Sequence, residues 1–414
     1  MRSALERLWR SPLGRAGIIV ANLLALTALF TRWGEAGLFV FTTPIDLDVY
    51  RIGAQVWLDG GELYGTMPLT QAGVGLPFTY PPLAAVLFVP LTWISWGTAA
   101  MIVTSSTALL SALVAAMVLD RLGVRAPGRA PWPLLTALPL ALALDPVRGT
   151  AGFGQINMIL LALVAVDCLA RNPRWPRGLL IGIAAAIKLT PAVFLLFFLL
   201  NKDRRAALTT VLSFLGATAL GFLLAARDSA QYWTETLFDT GRIGGATYPG
   251  NQSIKGLLAR TGLEGVPLTV LWLLLSLGVL FLLLRGMRQA FDTVGAPWAL
   301  SLNALGGLLV SPVSWSHHWV WAVPVLVCLV VLGARAKDKP ALALAGVFGL
   351  TTFLSPHWWF SYHDHLGWNL AQHVLGNAYT LSAAAILVLA PRLFVTERPG
   401  ELADTANRAK LSPV

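Results

Sequence analysis

The chain has 414 residues, 56% of them hydrophobic and 12% charged. Soluble domains carry roughly 25% charge, so a soluble globular fold is excluded. Long apolar runs in place of alternating ten-residue segments also exclude an outer-membrane barrel. Thirty Lys and Arg against twenty Asp and Glu give a net charge of +10, which in such a chain reports membrane topology rather than affinity for nucleic acid.

The fold class expected is an all-α polytopic membrane protein. Arg2, Arg7, Arg10 and Arg15 precede the apolar run Ala16–Phe30. They place the N-terminus in the cytoplasm, with that run as a retained signal anchor. The segment from about Arg32 to Thr79 is then outside. Tyr80–Ile94 opens on Pro81 and Pro82 and is short for a span, so it reads as a re-entrant or interfacial helix. Spans near 97–119, 131–146 and 156–170 follow. The stretch Gly178–Leu200 has basic loops at both ends, so it enters and leaves on one side. Two half-helices meeting at Lys188–Pro191 satisfy this. Spans near 206–226, 266–284, 297–312, 318–334, 340–355 and 376–391 complete a single membrane domain over 1–395. Residues 396–414 read as a disordered cytoplasmic tail. Cys168 and Cys328 both fall inside spans, which predicts neither a disulfide nor a metal site.

This topology segregates the chemistry. Twenty-two of the basic residues fall on the cytoplasmic side. The six histidines (His317, His318, His357, His363, His365 and His373) fall on the other, with Asp46 and Asp48. That pattern points to an inner-membrane protein with a periplasmic site.

Lys188 lies deep in an apolar stretch, where a charge costs about 2.5–3.5 kcal/mol. It needs either a phosphate or a buried carboxylate such as Asp145 or Asp167. In Asp46-Leu47-Asp48-Val49-Tyr50, Pro44 suggests a helix start, so the two aspartates face nearly opposite ways. One of them suits a general base toward a sugar hydroxyl; a solvated acid or a helix cap is the plainer reading. Adjacent His317 and His318, flanked by Trp315 and Trp319, suit a phosphate or a sugar, although Trp also populates membrane interfaces. Gln155 and Asn157 open a span. Asn251 and Gln252 lie in a polar, glycine-bearing outer loop. Zinc held by His317, His363, Asp364 and His365 lacks any recognisable ligand spacing.

Six short motifs in order carry a resemblance. They are Asp46-Leu47-Asp48-Val49-Tyr50, Thr79-Tyr80-Pro81-Pro82, Gly154-Gln155-Ile156-Asn157, Lys188-Leu189-Thr190-Pro191, Asn251-Gln252-Ser253 and Ser311–Trp319. Together they resemble the actinobacterial polyprenol-phosphate-mannose-dependent mannosyltransferases of glycosyltransferase family 87, in the GT-C superfamily. The resemblance fades beyond about residue 330. It implies a bundle of about ten to thirteen spanning or half-spanning helices with a periplasmic site. It implies inverting α-1,2 transfer of mannose from polyprenyl phosphomannose to a mannolipid or lipoglycan, with no metal or other cofactor. Asp46 would be the general base and Asp48 a secondary candidate. Lys188, His317 and His318 would bind the donor phosphate. Tyr50, Tyr80, Gln155, Asn157, Asn251, Gln252 and Trp315 would line the substrate site. The competing readings are a lipid or sugar transporter or flippase, which should show internal repeats and several mid-depth polar residues, and a lipid-binding subunit without activity.

Overall fold

The structure, a computed structural model, describes residues 2–33, 39–41, 44–125, 130–360 and 367–394. The expected tail and the residues Ser361–Leu366, with His363, Asp364 and His365, lie outside the described residues. The first helices are α1 (Arg2–Arg10) and α2 (Pro12–Phe30), then a short antiparallel ribbon, β1 (Thr31–Trp33) with β2 (Phe39–Phe41). Next come α3 (Ile45–Leu58), α4 (Pro82–Thr92), α5 (Trp96–Arg121), α6 (Trp132–Ala143), α7 (Asp145–Phe153) and α8 (Asn157–Leu169). The middle holds α9 (Leu179–Ile187), α10 (Leu195–Leu200), α11 (Arg204–Leu224), α12 (Ala226–Thr234) and α13 (Ile254–Arg260). The last third is α14 (Gly265–Thr293), α15 (Ala296–Val310), α16 (Ala322–Ala336), α17 (Lys339–Leu354), α18 (Leu370–Gly376) and α19 (Ala378–Leu389).

Among the described residues, six helical segments are long and apolar enough to cross a membrane: α2, α5, α11, α14, Ser316–Ala336 and Lys339–Trp358. The pair Leu370–Gly376 and Ala378–Arg392, bent by 73°, makes a seventh if counted as one span. Five shorter apolar helices accompany them, bringing the total within the range expected. Helix α4 has 11 residues; at about 1.5 Å per residue it covers roughly half of a 30 Å hydrocarbon core, too little to cross. The expected span 131–146 is instead broken. Helix α6 stops where Leu144 turns extended (ψ 135°), and α7 restarts with Pro146 in its first turn, where a proline ring costs no hydrogen bond.

Side-chain caps set several boundaries. Ser95 accepts from the Thr98 amide, Asp203 from Ala206, Ser253 from Gly256 and Asp338 from Ala341, each relieving an orphan donor at a helix start. Residues 178–200 form two half-helices, as expected. Helix α9 ends at Lys188, whose backbone is extended, and a 3-10 turn over Thr190–Phe194 leads into α10. The main core lies among α5, α8, α15, α16 and α19. A second apolar cluster, including Tyr50, Phe78, Tyr80, Phe88, Ile156 and Ala184, fixes α3 and α4 against α8 and α9. That second cluster positions the site.

Candidate active site

Helix α3 begins directly after Pro44, so Asp46 and Asp48 both lie in its first turn. Two residues apart on a helix is about 200° of rotation, and the side chains part accordingly. Asp48 turns into the protein, where its carboxylate accepts from the Trp96 indole N–H at 2.6 Å and from the Gln71 amide at 2.9 Å. Both of its oxygens are engaged, which ties the segment around Gln71 to α5. Asp46 turns the other way and accepts from Gln155 Nε2 at 2.7 Å.

Gln155 reaches Asp46 because of a close approach. Gly154, at φ +73°, ends α7 in the left-handed region, and a Cβ there would lie 2.6 Å from Pro44 Cβ and 2.9 Å from Leu47 Cβ. Only glycine supplies both the conformation and the space. Gln155 Oε1 accepts from Tyr50 OH at 2.9 Å and Tyr80 OH at 3.1 Å, and the two hydroxyls are 3.0 Å apart. With its carbonyl so engaged, the amide presents N–H to Asp46 in one orientation. Tyr50 stacks on Phe88 with ring centroids 4.4 Å apart, which fixes the donors.

Burial pushes the Asp46 carboxyl above its ordinary range, while the Gln155 hydrogen bond and the Lys188 charge pull it partly back. Tyr80 is pushed up by burial and by the Asp46 charge, so it remains a neutral donor.

Lys188 stands at the break after α9. Its Nζ lies 3.1 Å from Asn157 Oδ1, 3.3 Å from His318 Nε2 and 5.3 Å from the Tyr80 ring centre. Neither suspected carboxylate partner meets it. Asp167 accepts from the Gly178 and Ile181 amides and the Trp175 indole, capping α9 from a distance. Asp145 accepts from Tyr379 OH at 3.2 Å. Lys188 forms no ion pair within 4.0 Å among the described residues. An ammonium has no acceptor lone pair, so His318 Nε2 accepts from Lys188 and is neutral; it adds no second positive charge at this point.

The two adjacent histidines divide their roles. The 3-10 turn Ser316–Trp321 aims His318 at Lys188 and His317 at Phe153, ring centroids 5.0 Å apart. His317 contributes its backbone carbonyl, which accepts from Thr150 Oγ1 at 2.9 Å and Asn157 Nδ2 at 3.0 Å. The structure thus gathers Asp46, Tyr50, Tyr80, Gln155, Asn157, Lys188 and His318.

Asn251, Gln252 and Trp315 are engaged elsewhere. Asn251 donates to Ala246 and Pro312 carbonyls and accepts from the Ser314 amide. Gln252 donates to the Pro249 and Gly376 carbonyls and accepts from the Tyr379 amide. Trp315 bridges to Asn251 and packs edge-on against Tyr248. These residues clamp the loop before α13 to the segment after α15 and to the α18–α19 junction. Arg260, which sequence reasoning passed over, completes the clamp. It is fully buried and donates to the Tyr248 and Asn251 carbonyls and to Asn377 Oδ1. An arginine at the end of a short, largely apolar helix on the cation-poor face was the available signal. Among the described residues no three His, Cys, Asp or Glu side chains gather as metal ligands.

The family model for glycosyltransferase family 87 matches residues 78–312, more than half of the chain. The polyprenol-phosphate-mannose-dependent alpha-(1-2)-phosphatidylinositol mannoside mannosyltransferase of Mycolicibacterium smegmatis is 44% identical over 397 residues, covering 89% of this chain and 88% of its own. Its namesake in Mycobacterium tuberculosis is 45% identical over 362 residues, covering 82% and 84%. The M. tuberculosis pentamannoside mannosyltransferase of the same donor dependence is 33% identical over 378 residues, covering 87% and 84%. Among solved structures, ArnT from Cupriavidus metallidurans bound to undecaprenyl phosphate aligns with a TM-score of 0.41 at 14% identity, covering 92% of this chain and 78% of that one. The transporter reading falls, because the chain is a membrane mannosyltransferase and belongs to glycosyltransferase family 87.

Proposed function

We propose that the protein transfers mannose from polyprenyl phosphomannose to a phosphatidylinositol mannoside, forming an α-1,2 linkage with inversion. The observation that carries this is a carboxylate and a cation joined by one polar network without a direct ion pair. Gln155 donates to Asp46 and accepts from Tyr80, whose ring centre lies 5.3 Å from Lys188 Nζ, and Asn157 accepts from Lys188.

The acceptor hydroxyl attacks mannose C1 and gives its proton to Asp46. The bond between C1 and the phosphate oxygen breaks, and the carrier leaves as polyprenyl phosphate. Inversion requires this single displacement, with base and leaving group on opposite sides of the sugar. Burial raises the basicity of Asp46, which suits a group that must accept a proton in the transition state. Lys188 meets the charge that grows on the leaving phosphate. Asn157 and His318, both on Lys188 Nζ, orient that ammonium.

The acceptor assignment rests on the greater identity to the phosphatidylinositol mannoside enzymes than to the pentamannoside enzyme. Lipomannan and lipoarabinomannan are the competing acceptors. Placing the N-terminus in the cytoplasm and the site in the periplasm follows from the distribution of basic residues. The test is product analysis with purified protein, labelled polyprenyl phosphomannose and a panel of mannolipids. Mannose α-1,2-linked to a phosphatidylinositol mannoside is expected; transfer confined to a lipoglycan would overturn the acceptor assignment. Because Lys188 supplies the cation, full activity in EDTA is also expected. Loss of activity restored by one divalent metal would reject the metal-free reading.

A further inference from the structure

Helix α5 joins two distant ends of the molecule. At its first residue the Trp96 indole donates to Asp48 on α3. Its 26 residues cover about 39 Å at 1.5 Å each. That exceeds the roughly 30 Å of a hydrocarbon core, so the last turn of α5 reaches the opposite headgroup layer. There the end of α5 and the start of α6 form a groove of about 450 Å³. Ala116, Leu119, Val124 and Leu134 supply apolar lining, and Asp120 and Arg125 supply charge. On the same start of α6, Trp132 packs with Trp9 and Ile18, and the Arg15 guanidinium lies 5.2 Å from its ring centre. Tryptophan beside arginine is the composition of a membrane–water boundary.

The charge at this groove is positive in excess. Asp120 Oδ1 accepts from Arg125 Nη2 at 3.2 Å, and Asp120 Oδ2 accepts from Arg171 Nη2 at 3.0 Å and Nε at 3.1 Å. Two guanidiniums therefore share one carboxylate, and Arg121, exposed beside Asp120 in the chain, adds a further positive charge. Asp120 also holds the guanidiniums in place, so less side-chain freedom remains to be lost when an anion binds. Arg125 meets Asp120 through Nη2 and is 59% exposed.

We propose that this groove binds an anionic phospholipid, with its phosphate on Arg125 and Arg171 and its acyl chains leaving along Leu119 and Leu134. Position selects a lipid over a soluble anion: the groove lies at headgroup depth, and its walls are apolar. Charge selects an anionic lipid over a zwitterionic one, because a choline or ethanolamine group would meet the arginines with its own positive charge. Basic pockets between spanning helices at this depth suit anionic headgroups in general. The groove volume falls within the roughly 300–1,000 Å³ of small-molecule sites, which suits a headgroup and its glycerol. The site is separate from the chemistry, since the length of α5 lies between it and the residues around Asp48. A lipid held there anchors one end of α5 in the leaflet while the other end holds Asp48.

The test is native mass spectrometry of the purified full chain with phosphatidylglycerol and phosphatidylcholine of identical acyl chains at equal concentration. One phosphatidylglycerol should be retained about fivefold over phosphatidylcholine, the gain one basic residue gives near an anionic headgroup. Equal retention of the two lipids overturns the proposal. Arg125→Gln should remove most of that preference. Ala116→Phe, which fills the groove and leaves its charges, should lower retention of both lipids. The thermal midpoint in the same detergent checks that both variants are folded. An unchanged preference in folded Arg125→Gln, or unchanged retention in folded Ala116→Phe, places the lipid elsewhere and overturns the assignment. Polyprenyl phosphate that displaces phosphatidylglycerol at equal concentration would give the groove to the carrier lipid and overturn it as well.

Discussion

Two buried polar regions of this protein differ in what their polar groups have left to give. Around Arg260, Asn251, Gln252 and Asn377, donors are matched to carbonyls and amides within the chain. Around Asp46 and Lys188, partners are fewer. One carboxylate oxygen of Asp46 takes a single amide, and the Lys188 ammonium meets Asn157 and His318 with no carboxylate within 4.0 Å among the described residues. A region that satisfies itself holds the fold, because an unmade buried hydrogen bond is expensive. A region left incomplete is completed by a ligand. Within one helical turn Asp48 and Asp46 repeat this contrast.

The sharpest way to break the comparison is Asp46→Asn. Transfer should fall by about 10²–10⁴-fold, the usual cost of losing a general base, as measured by single-turnover mannose transfer to the acceptor. The same variant should melt higher at neutral pH. A carboxyl raised above its unfolded value contributes stability at low pH that is lost as pH rises through the folded value, and asparagine removes that loss. Activity near wild type would move the base elsewhere. Lys188→Met, which keeps the apolar stem, should slow transfer by about 10²–10³-fold through the loss of transition-state charge stabilisation. Wild-type kinetics would make Lys188 structural.

Arg260→Leu tests the other region. It orphans the Tyr248 and Asn251 carbonyls and Asn377 Oδ1, at about 1–3 kcal/mol each. The folded fraction in detergent should drop, while kcat per folded molecule changes little. A large kcat loss in correctly folded protein would place the clamp inside the chemistry. The smallest expected effect belongs to Gln155→Leu. Removing the hydrogen bond that favours the charged form should raise Asp46 further. The acid limb of the kcat/KM profile then moves to higher pH, and an unmoved limb would separate Gln155 from the base.

The parts of this architecture that follow from local periodicity were legible in the sequence. The broken helix at Lys188 followed from basic loops at both ends of one apolar stretch, and the opposed faces of Asp46 and Asp48 followed from helical rotation. The division between active site and clamp was not legible, because it rests on hydrogen bonds between distant segments. Gln155 meets Asp46 across 109 positions, and Gln252 meets Gly376 across 124. No local pattern distinguishes a glutamine bound to a carboxylate from one bound to a carbonyl. The kink at Leu144 was hidden for another reason: the apolar pattern runs on through it, and only Pro146 marks the new start.

The unpaired ammonium has a kinetic consequence. The donor phosphate is a diester with one negative charge, whereas the spent carrier is a monoester with about two near neutral pH. On the proposal that Lys188 meets that phosphate, the fixed cation holds the product more tightly than the substrate, and His318, which accepts from it, does nothing to loosen the grip. On that proposal, departure of the spent carrier into the bilayer is expected to limit turnover. Its signature is a burst of one mannose per enzyme followed by a slower steady rate, with added polyprenyl phosphate competing against the donor.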